Sequence, residues 1–135
     1  MINNYQPKYY NEVCKLGKLI NPNFTKLFHI NKLNINEEIY VFEEKDIVKG
    51  FIHIQNGLDI TDILNIVVDP IYQNQGIGSK LINYVYENNK SQKLMLEVRA
   101  QNKEAINFYQ KNKFIILNVR KNYYQNDDAI IMERK

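Results

Sequence analysis

The chain has one cysteine, no tryptophan, three prolines and only five glycines in 135 residues. A lone cysteine, Cys14, cannot form an internal disulfide, and cytoplasmic residence is the default expectation. No apolar run approaches the roughly 18 residues of a membrane span, so no transmembrane segment is expected. The N-terminus, MINNYQPKYY, lacks a basic stretch followed by an apolar one, which argues against a secretory signal. Excess charge is also small: 18 Lys and Arg against 15 Asp and Glu leave a formal net charge of +3. With the lysines scattered, that balance argues against a nucleic-acid footprint and is compatible with one polyphosphate ligand. His29 and His53 lack metal-ligand spacing, and no metal is expected.

What is present is an apolar fraction of 44%, to which ten Tyr and six Phe contribute much of the volume. That suffices for one core, and the length fits a single domain over 1–135. Tyr9, Val13, Leu16 and Ile20 recur at helical spacing and predict a helix from Lys8 to Ile20, broken by Pro22. Cys14 falls on this helix and reads as a packing residue. A shorter helix is expected over Phe24 to Leu33. Strands are expected at Glu38–Glu43, Gly50–Gln55 and Ile60–Val68, with a turn at Asp46 and a two-residue turn signal at Asn56-Gly57. The apolar end of the third of these strands suggests burial on both faces.

A helix over Gly76–Asn89, a strand at Lys93–Arg99 and a helix over Lys103–Lys111, with Ala105, Phe108 and Tyr109 inward, follow. Strands at Phe114–Val119 and Ala129–Glu133, joined by the polar loop KNYYQNDD, complete the chain, and a first strand near Ile2–Gln6 fits as well. The strand-helix-strand unit from Ile60 to Arg99 implies one parallel pairing. The fold class is α/β (α+β), with a central mixed, mostly antiparallel sheet of six to seven strands and about four helices.

Two of the five glycines stand one residue apart in NIVVDPIYQNQGIGSKL, Asn65 to Leu81. An apolar strand ends at Asp69-Pro70, a polar loop follows, and Gly76 opens a helix. Backbone N–H groups from about Gly76 to Lys80 then lack intrahelical partners and form a site for an anion such as a diphosphate. The dinucleotide fingerprint fails, because Leu81 stands where its third glycine belongs, and the Gly-Lys-Ser/Thr ending of a phosphate loop is absent. A helix start that merely uses flexible residues remains the open alternative on the glycines alone.

The string Gln73-x-x-Gly76-x-Gly78, directly after Val67-Val68-Asp69-Pro70, resembles the acetyl-coenzyme A loop of the GNAT-type N-acetyltransferases. Further on, LEVRAQNKEAINFY (Leu96 to Tyr109), RKNYY (Arg120 to Tyr124) and DDAIIM (Asp127 to Met132) look like the ribosomal-protein N-terminal alanine acetyltransferases, the RimI type. The resemblance covers about Asn65 to Met132. It implies the GNAT fold, acetyl-coenzyme A as co-substrate, and direct attack of an amine on the thioester in a ternary complex.

Carried onto this chain, the resemblance assigns Glu97 as general base and Tyr109 as the acid meeting the departing thiolate. Strand alternation puts Met95, Glu97 and Arg99 on the face opposite Leu94, Leu96 and Val98. A carboxylate among apolar neighbours in a cleft would have a raised pKa. A solvated Glu97, or one paired with Arg99, is the plainer reading, and for Tyr109 it is a core residue. The family also implies that the backbone of Ile66, Val67 and Val68 pairs with the pantetheine amides, and that Gln73, Asn74, Gln75, Gly76, Ile77, Gly78, Ser79 and Lys80 surround the diphosphate. Asn102 would contact the pantetheine arm or simply cap its helix.

Some family features are altered. The Pro-Trp pair of the acceptor segment has no counterpart, Asn21-Pro22-Asn23-Phe24 standing in its region. The hairpin loop between Tyr124 and Asp127 is short, and Lys113-Phe114 replaces Gly-Phe. The expected acceptor is a protein N-terminal amine, such as that of a ribosomal protein. A small amine (a polyamine or aminoglycoside) is the second reading, and the acidic pair Asp127-Asp128 would serve either cation. A non-catalytic acetyl-coenzyme A sensor is the third. Neither nucleic acid nor membrane is an expected partner, and oligomeric state is not legible.

Overall fold

The computed structural model describes residues 1–88 and 93–135. Seven strands run β1 (Ile2–Asn4), β2 (Glu37–Glu44), β3 (Ile47–Asn56), β4 (Ile60–Val68), β5 (Lys93–Arg99), β6 (Ile115–Tyr124) and β7 (Asp127–Arg134). The helices are α1 (Tyr10–Ile20), α2 (Phe24–Leu27), α3 (Ile77–Asn88) and α4 (Lys103–Lys111). The sheet order is β1-β2-β3-β4-β5-β7-β6. β4 and β5 are parallel, Ile60 opposite Lys93, whereas β1–β2, β2–β3, β5–β7 and β6–β7 are antiparallel. The chain groups into two compact units, Met1–Asn56 with Ile63–Asn89 and Gly57–Asp62 with Lys90–Lys135.

In the first unit, Tyr9, Val13, Cys14 and Leu16 on α1 join Phe24, Ile30, Ile39, Val41, Phe51 and Val67 in one core. Each such aliphatic or aromatic side chain contributes about 1.5–3 kcal/mol when fully removed from water. Ile20 departs from the expected apolar stripe and is exposed. Pro7–Tyr9 forms a 3-10 turn, so the α-helix proper begins at Tyr10. The second expected helix is broken in two. α2 stops where Phe28 turns extended (φ −127, ψ 119), and a 3-10 turn follows at Ile30–Lys32. Phe28 leaves the helix to pack its ring against Phe24 and His53, both at 5.3 Å between centroids.

His53 is wholly buried on β3. Its Nε2–H donates to Glu37 Oε2 at 2.8 Å, and Nδ1 accepts from Asn65 Nδ2 at 3.1 Å. Burial holds its pKa below the ordinary value, against the opposing pull of Glu37. A neutral ring with one donor and one acceptor satisfies both partners.

The hairpin β2–β3 closes through Lys45 and Asp46, both at positive φ (52 and 64). That is the two-residue geometry whose twist suits antiparallel strands. The Asn56-Gly57 signal instead opens a longer connection, since β3 ends at Asn56 and β4 starts only at Ile60. Gly57 packs so close that a Cβ would lie 2.6 Å from the Ile60 carbonyl oxygen. β4 alternates rather than being buried on both faces: Thr61, Ile63, Asn65 and Val67 point inward, whereas Leu64 is exposed and Ile66 and Val68 are half-buried. Gly50 lets β3 approach this strand, because a Cβ there would stand 2.8 Å from the Val67 carbonyl oxygen.

In the second unit, β7 pairs on one side with β5, Glu97 opposite Ile131, and on the other with β6. The stretch read as the loop KNYYQNDD is mostly strand, with only Gln125 and Asn126 outside β6 and β7. Asp128 explains the extension: its Oδ1 accepts the Asn122 N–H at 2.8 Å, and its Oδ2 faces Lys121 Nζ at 3.5 Å. These contacts, the backbone bond first, hold its carboxyl below the usual range. The expected helix end at Asn89 lies outside the described residues. Among those described, no helix is long and apolar enough to cross a membrane.

Candidate active site

The glycine loop sits wholly in the first unit. After β4, Asp69 Oδ1 accepts the Ile71 N–H at 3.0 Å and seeds a 3-10 turn, Pro70–Tyr72. The chain then passes through Asn74 and Gly76, both left-handed (φ 66 and 79). A Cβ built on Gly76 would meet nothing within 4 Å. The glycine is therefore required by its backbone angle, and the space beside it is open. α3 begins at Ile77, one residue later than expected, with Gly76 as its cap: the Lys80 N–H bonds the Gly76 carbonyl at 3.0 Å. The N–H groups of Ile77, Gly78 and Ser79 precede that first bond and have no acceptor within the helix.

Gln73, Asn74, Gln75, Gly76 and Lys80 are exposed, Ser79 is half-buried, and Ile77 and Gly78 are buried. Gln73 Nε2 reaches back to the Val68 carbonyl at 3.4 Å. Val67 is buried, with Ile66 and Val68 half-buried beside it. Two lysines flank the loop on aromatic faces: Lys49 Nζ lies 4.6 Å from the Tyr72 ring centre and Lys80 Nζ 5.7 Å from that of Phe42. Lys49 is already paired with Glu44 at 2.9 Å, so amides without helical partners at the positive end of a helix, a left-handed bend and the exposed Lys80 are what fit a diphosphate.

The titratable candidates lie in the second unit. Alternation along β5 holds, with Leu94, Leu96 and Val98 buried and Glu97 and Arg99 exposed. The apolar enclosure expected around Glu97 is absent. Its Oε1 instead accepts a 2.6 Å hydrogen bond from the Tyr124 hydroxyl. Arg99 does not pair with Glu97; its guanidinium lies 4.0 Å from the centre of the Tyr124 ring. Burial, then the hydrogen bond and charge of Glu97, push the Tyr124 hydroxyl up to about 12, with Arg99 opposing. The phenol is therefore a fixed donor at neutral pH. Sequence reasoning gave Tyr124 no role; the adjacent tyrosines of RKNYY, at the mouth of a hairpin beside β5, were the available signal.

Tyr109 is half-buried on α4, its ring edge-on to Phe108 at 5.4 Å and Phe114 at 5.7 Å. Burial pushes its hydroxyl up to about 12. Asn102 caps α4, its Oδ1 accepting the Ala105 N–H at 3.1 Å. The acidic pair is committed to the hairpin: Asp127 Oδ2 accepts the Gln101 N–H at 3.0 Å, and Asp128 holds Asn122 and Lys121. Both carboxylates thus already hold partners within the chain.

Residues 36–116 match the family model of the acetyltransferase (GNAT) domain. The chain is 40% identical over 82 residues to the ribosomal protein bS18-alanine N-acetyltransferase of Escherichia coli K12, an alignment covering 56% of this chain and 55% of that protein. The chain spans about half the length of these curated relatives that it matches. The crystal structure of the ribosomal-protein-S18-alanine N-acetyltransferase from Escherichia coli superposes with a TM-score of 0.86 at 28% identity, over 99% of this chain and 92% of that one. A GNAT family acetyltransferase from Elizabethkingia anophelis, solved with acetyl-CoA bound, gives a TM-score of 0.81 at 22% identity, over 100% and 97% of the two chains. At that identity the likeness is one of fold. The mixed seven-stranded sheet with four helices is the architecture shared with these neighbours.

Proposed function

This chain belongs to the GNAT acetyltransferase family, and from that premise we propose that it transfers the acetyl group of acetyl-coenzyme A to the N-terminal amine of a protein, of the ribosomal-protein alanine type, in the cytoplasm. The observation that carries the chemistry is the exposed Glu97 carboxylate with one oxygen held by Tyr124. The acceptor class draws its support from the names of the relatives.

In this reading the amides of Ile77, Gly78 and Ser79 bind the diphosphate with Gln73, Asn74, Gln75, Gly76 and Lys80 around it. The backbone of Ile66, Val67 and Val68 pairs with the pantetheine arm as an added strand would. Asn102 contributes by starting α4 in its observed place. An N-terminal ammonium, with a pKa of about 7.7–8.0, must lose a proton before it attacks. Tyr124 holds Oε1 of Glu97, and Oε2 takes that proton, directly or through one water. The amine nitrogen then bonds to the thioester carbonyl carbon, the C–S bond breaks, and its electron pair leaves on the coenzyme sulfur.

Tyr109 meets that sulfur. A thiol pKa of about 8.5 lies well below the value near 12 of this phenol. Transfer of the phenolic proton to the thiolate is therefore uphill, and the hydroxyl acts by donating a hydrogen bond. Tyr109→Phe keeps the ring packing and removes only that bond. A hydrogen bond to a charged group is worth about 1.5–3 kcal/mol, so kcat should fall roughly ten- to a hundredfold with Tm little changed. Unchanged turnover would remove the hydroxyl from the mechanism.

The acceptor is tested by incubating the chain with radiolabelled acetyl-coenzyme A and either a peptide carrying the N-terminal sequence of ribosomal protein bS18 or a panel of polyamines and aminoglycosides. Label on the peptide α-amine is the expected result. Label on the small amines alone would replace the acceptor class, and cofactor binding with no transfer to any of them would replace the enzyme by a sensor.

A further inference from the structure

Arg99 is exposed at the end of β5, two residues beyond Glu97 and on the same face of the strand. Neighbours at that spacing stand side by side, so a pairing of the two charges is the simplest outcome. The structure has another. The Arg99 guanidinium lies 4.0 Å from the centre of the Tyr124 ring, and no carboxylate among the described residues forms an ion pair with it. The Tyr124 hydroxyl meets Glu97 Oε1 at 2.6 Å. One ring therefore spans two neighbours on β5, its face against the cation and its hydroxyl on the carboxylate.

The backbone that carries the ring is held by other contacts. Tyr124 stands opposite Asp127 in the β6–β7 pairing. Asp127 Oδ2 accepts the Gln101 N–H at 3.0 Å, Gln101 Nε2 donates to the Asn126 carbonyl at 3.2 Å, and the Ala100 N–H donates to the Asp128 carbonyl at 3.0 Å. These bonds fasten the end of the hairpin to the segment between β5 and α4. They leave the Tyr124 side chain free to rotate, because its ring is only half-buried. Tyr123 touches that ring edge-on at 5.3 Å, but it is itself exposed and belongs to the same strand. Arg99 reaches the ring from β5, the strand that carries Glu97.

We propose that Arg99 is a positioning residue for acetyl transfer: stacked on Tyr124, it aims the phenol at Glu97 and so keeps Oε2 of the base turned to the amine. The inference rests on the reading of Glu97 as general base. A guanidinium suits the role because it is planar, weakly hydrated and stacks on aromatic faces even at the surface. A direct pair with Glu97 would be bidentate and would occupy the oxygen that the amine needs; stacking keeps the cation off it. Charge and shape act in the same direction. Arg99 opposes the upward push that burial and Glu97 exert on the Tyr124 hydroxyl. A cation that favours the phenolate also makes the neutral O–H a stronger donor to the carboxylate.

Measured with the bS18 N-terminal peptide, Arg99→Ala should lower kcat about two- to fivefold, the effect of one exposed cation–π contact, with the KM for acetyl-coenzyme A unchanged. Tyr124→Phe keeps the ring and removes the hydroxyl, so in that background the same substitution should cost nothing further. A role in folding alone would be felt alike in both backgrounds. Arg99→Lys keeps a cation able to lie over the ring and should recover part of the lost turnover. Arg99 is exposed, so circular dichroism of these variants should match the wild type. Should Arg99→Ala misfold, Arg99→Gln takes its place in the same comparison. Wild-type turnover in Arg99→Ala, an equal loss in both backgrounds, or no recovery in Arg99→Lys would overturn the proposal while Glu97→Gln stays impaired. Wild-type turnover in Glu97→Gln would sink the base itself, and this inference with it.

Discussion

Glu97→Gln should lower kcat by about 10²–10⁴-fold, the range for loss of a general base, while leaving the KM for acetyl-coenzyme A unchanged. Glutamine keeps the side-chain length and a carbonyl oxygen that accepts the Tyr124 hydroxyl, which now sits 2.6 Å from Glu97 Oε1. What it loses is the capacity to take a proton from the attacking ammonium. Turnover of the variant should instead follow the fraction of acceptor amine that is already unprotonated, rising with pH through about 7.7–8.0. Removing the positioning group instead, by Tyr124→Phe, leaves the base in place and frees it to rotate. That change should cost about tenfold, near the net worth of one hydrogen bond to a charged group. Steady-state kinetics on the two variants separate base from positioner, and wild-type turnover in Glu97→Gln would remove Glu97 from the chemistry.

Phe24→Ala should destabilise the chain by about 3–5 kcal/mol, the usual range for deleting a buried aromatic ring. Against the 5–15 kcal/mol of a typical domain that is a large fraction. Phe24 is fully buried, and its ring lies 5.3 Å from Phe28 and 5.8 Å, edge-on, from Phe51. It also fills the notch left by Gly17, where a Cβ would stand 2.5 Å from the ring carbon Cγ. Gly17→Ala should accordingly destabilise the wild type by overpacking. In the Phe24→Ala background the same methyl enters the vacated space, and helix propensity favours alanine over glycine by about 1 kcal/mol. Its effect should therefore change sign. Urea denaturation of the four chains measures this coupling, and strict additivity would show that the two residues do not share the space.

The residues that could be read in isolation are those whose signal is local. Val67-Val68-Asp69-Pro70 ends a strand, and Gly76 occurs where the backbone must turn left-handed before a helix; both are properties of a few consecutive dihedral angles. Leu94, Leu96 and Val98 face inward because alternation in a strand has a period of two, whatever the partners. Features that depend on a distant neighbour differ from what the local pattern predicts. Phe24 to Leu33 has apolar residues suited to a helix, but Phe28 turns extended and packs on Phe24 and His53. KNYY looks polar enough for a loop, yet Asp128 draws Asn122 and Lys121 into a hairpin.

The family resemblance was legible in the chain alone, because its motifs rest on short-range spacing that survives without a partner, and the resemblance in turn implied the diphosphate loop at Gln73–Lys80 and the base we propose at Glu97. Tertiary structure alone decided what surrounds that base. Tyr124 is 27 residues away along the chain, and its hydroxyl reaches Glu97 only because β6 doubles back on β7 and β7 pairs with β5. The same pairing left β6 at the open end of the sheet. Its two isoleucines, leucine and valine are apolar, yet on a strand with one neighbour they stay largely in water. Burial is a property of the assembled sheet, and no window of consecutive residues contains it.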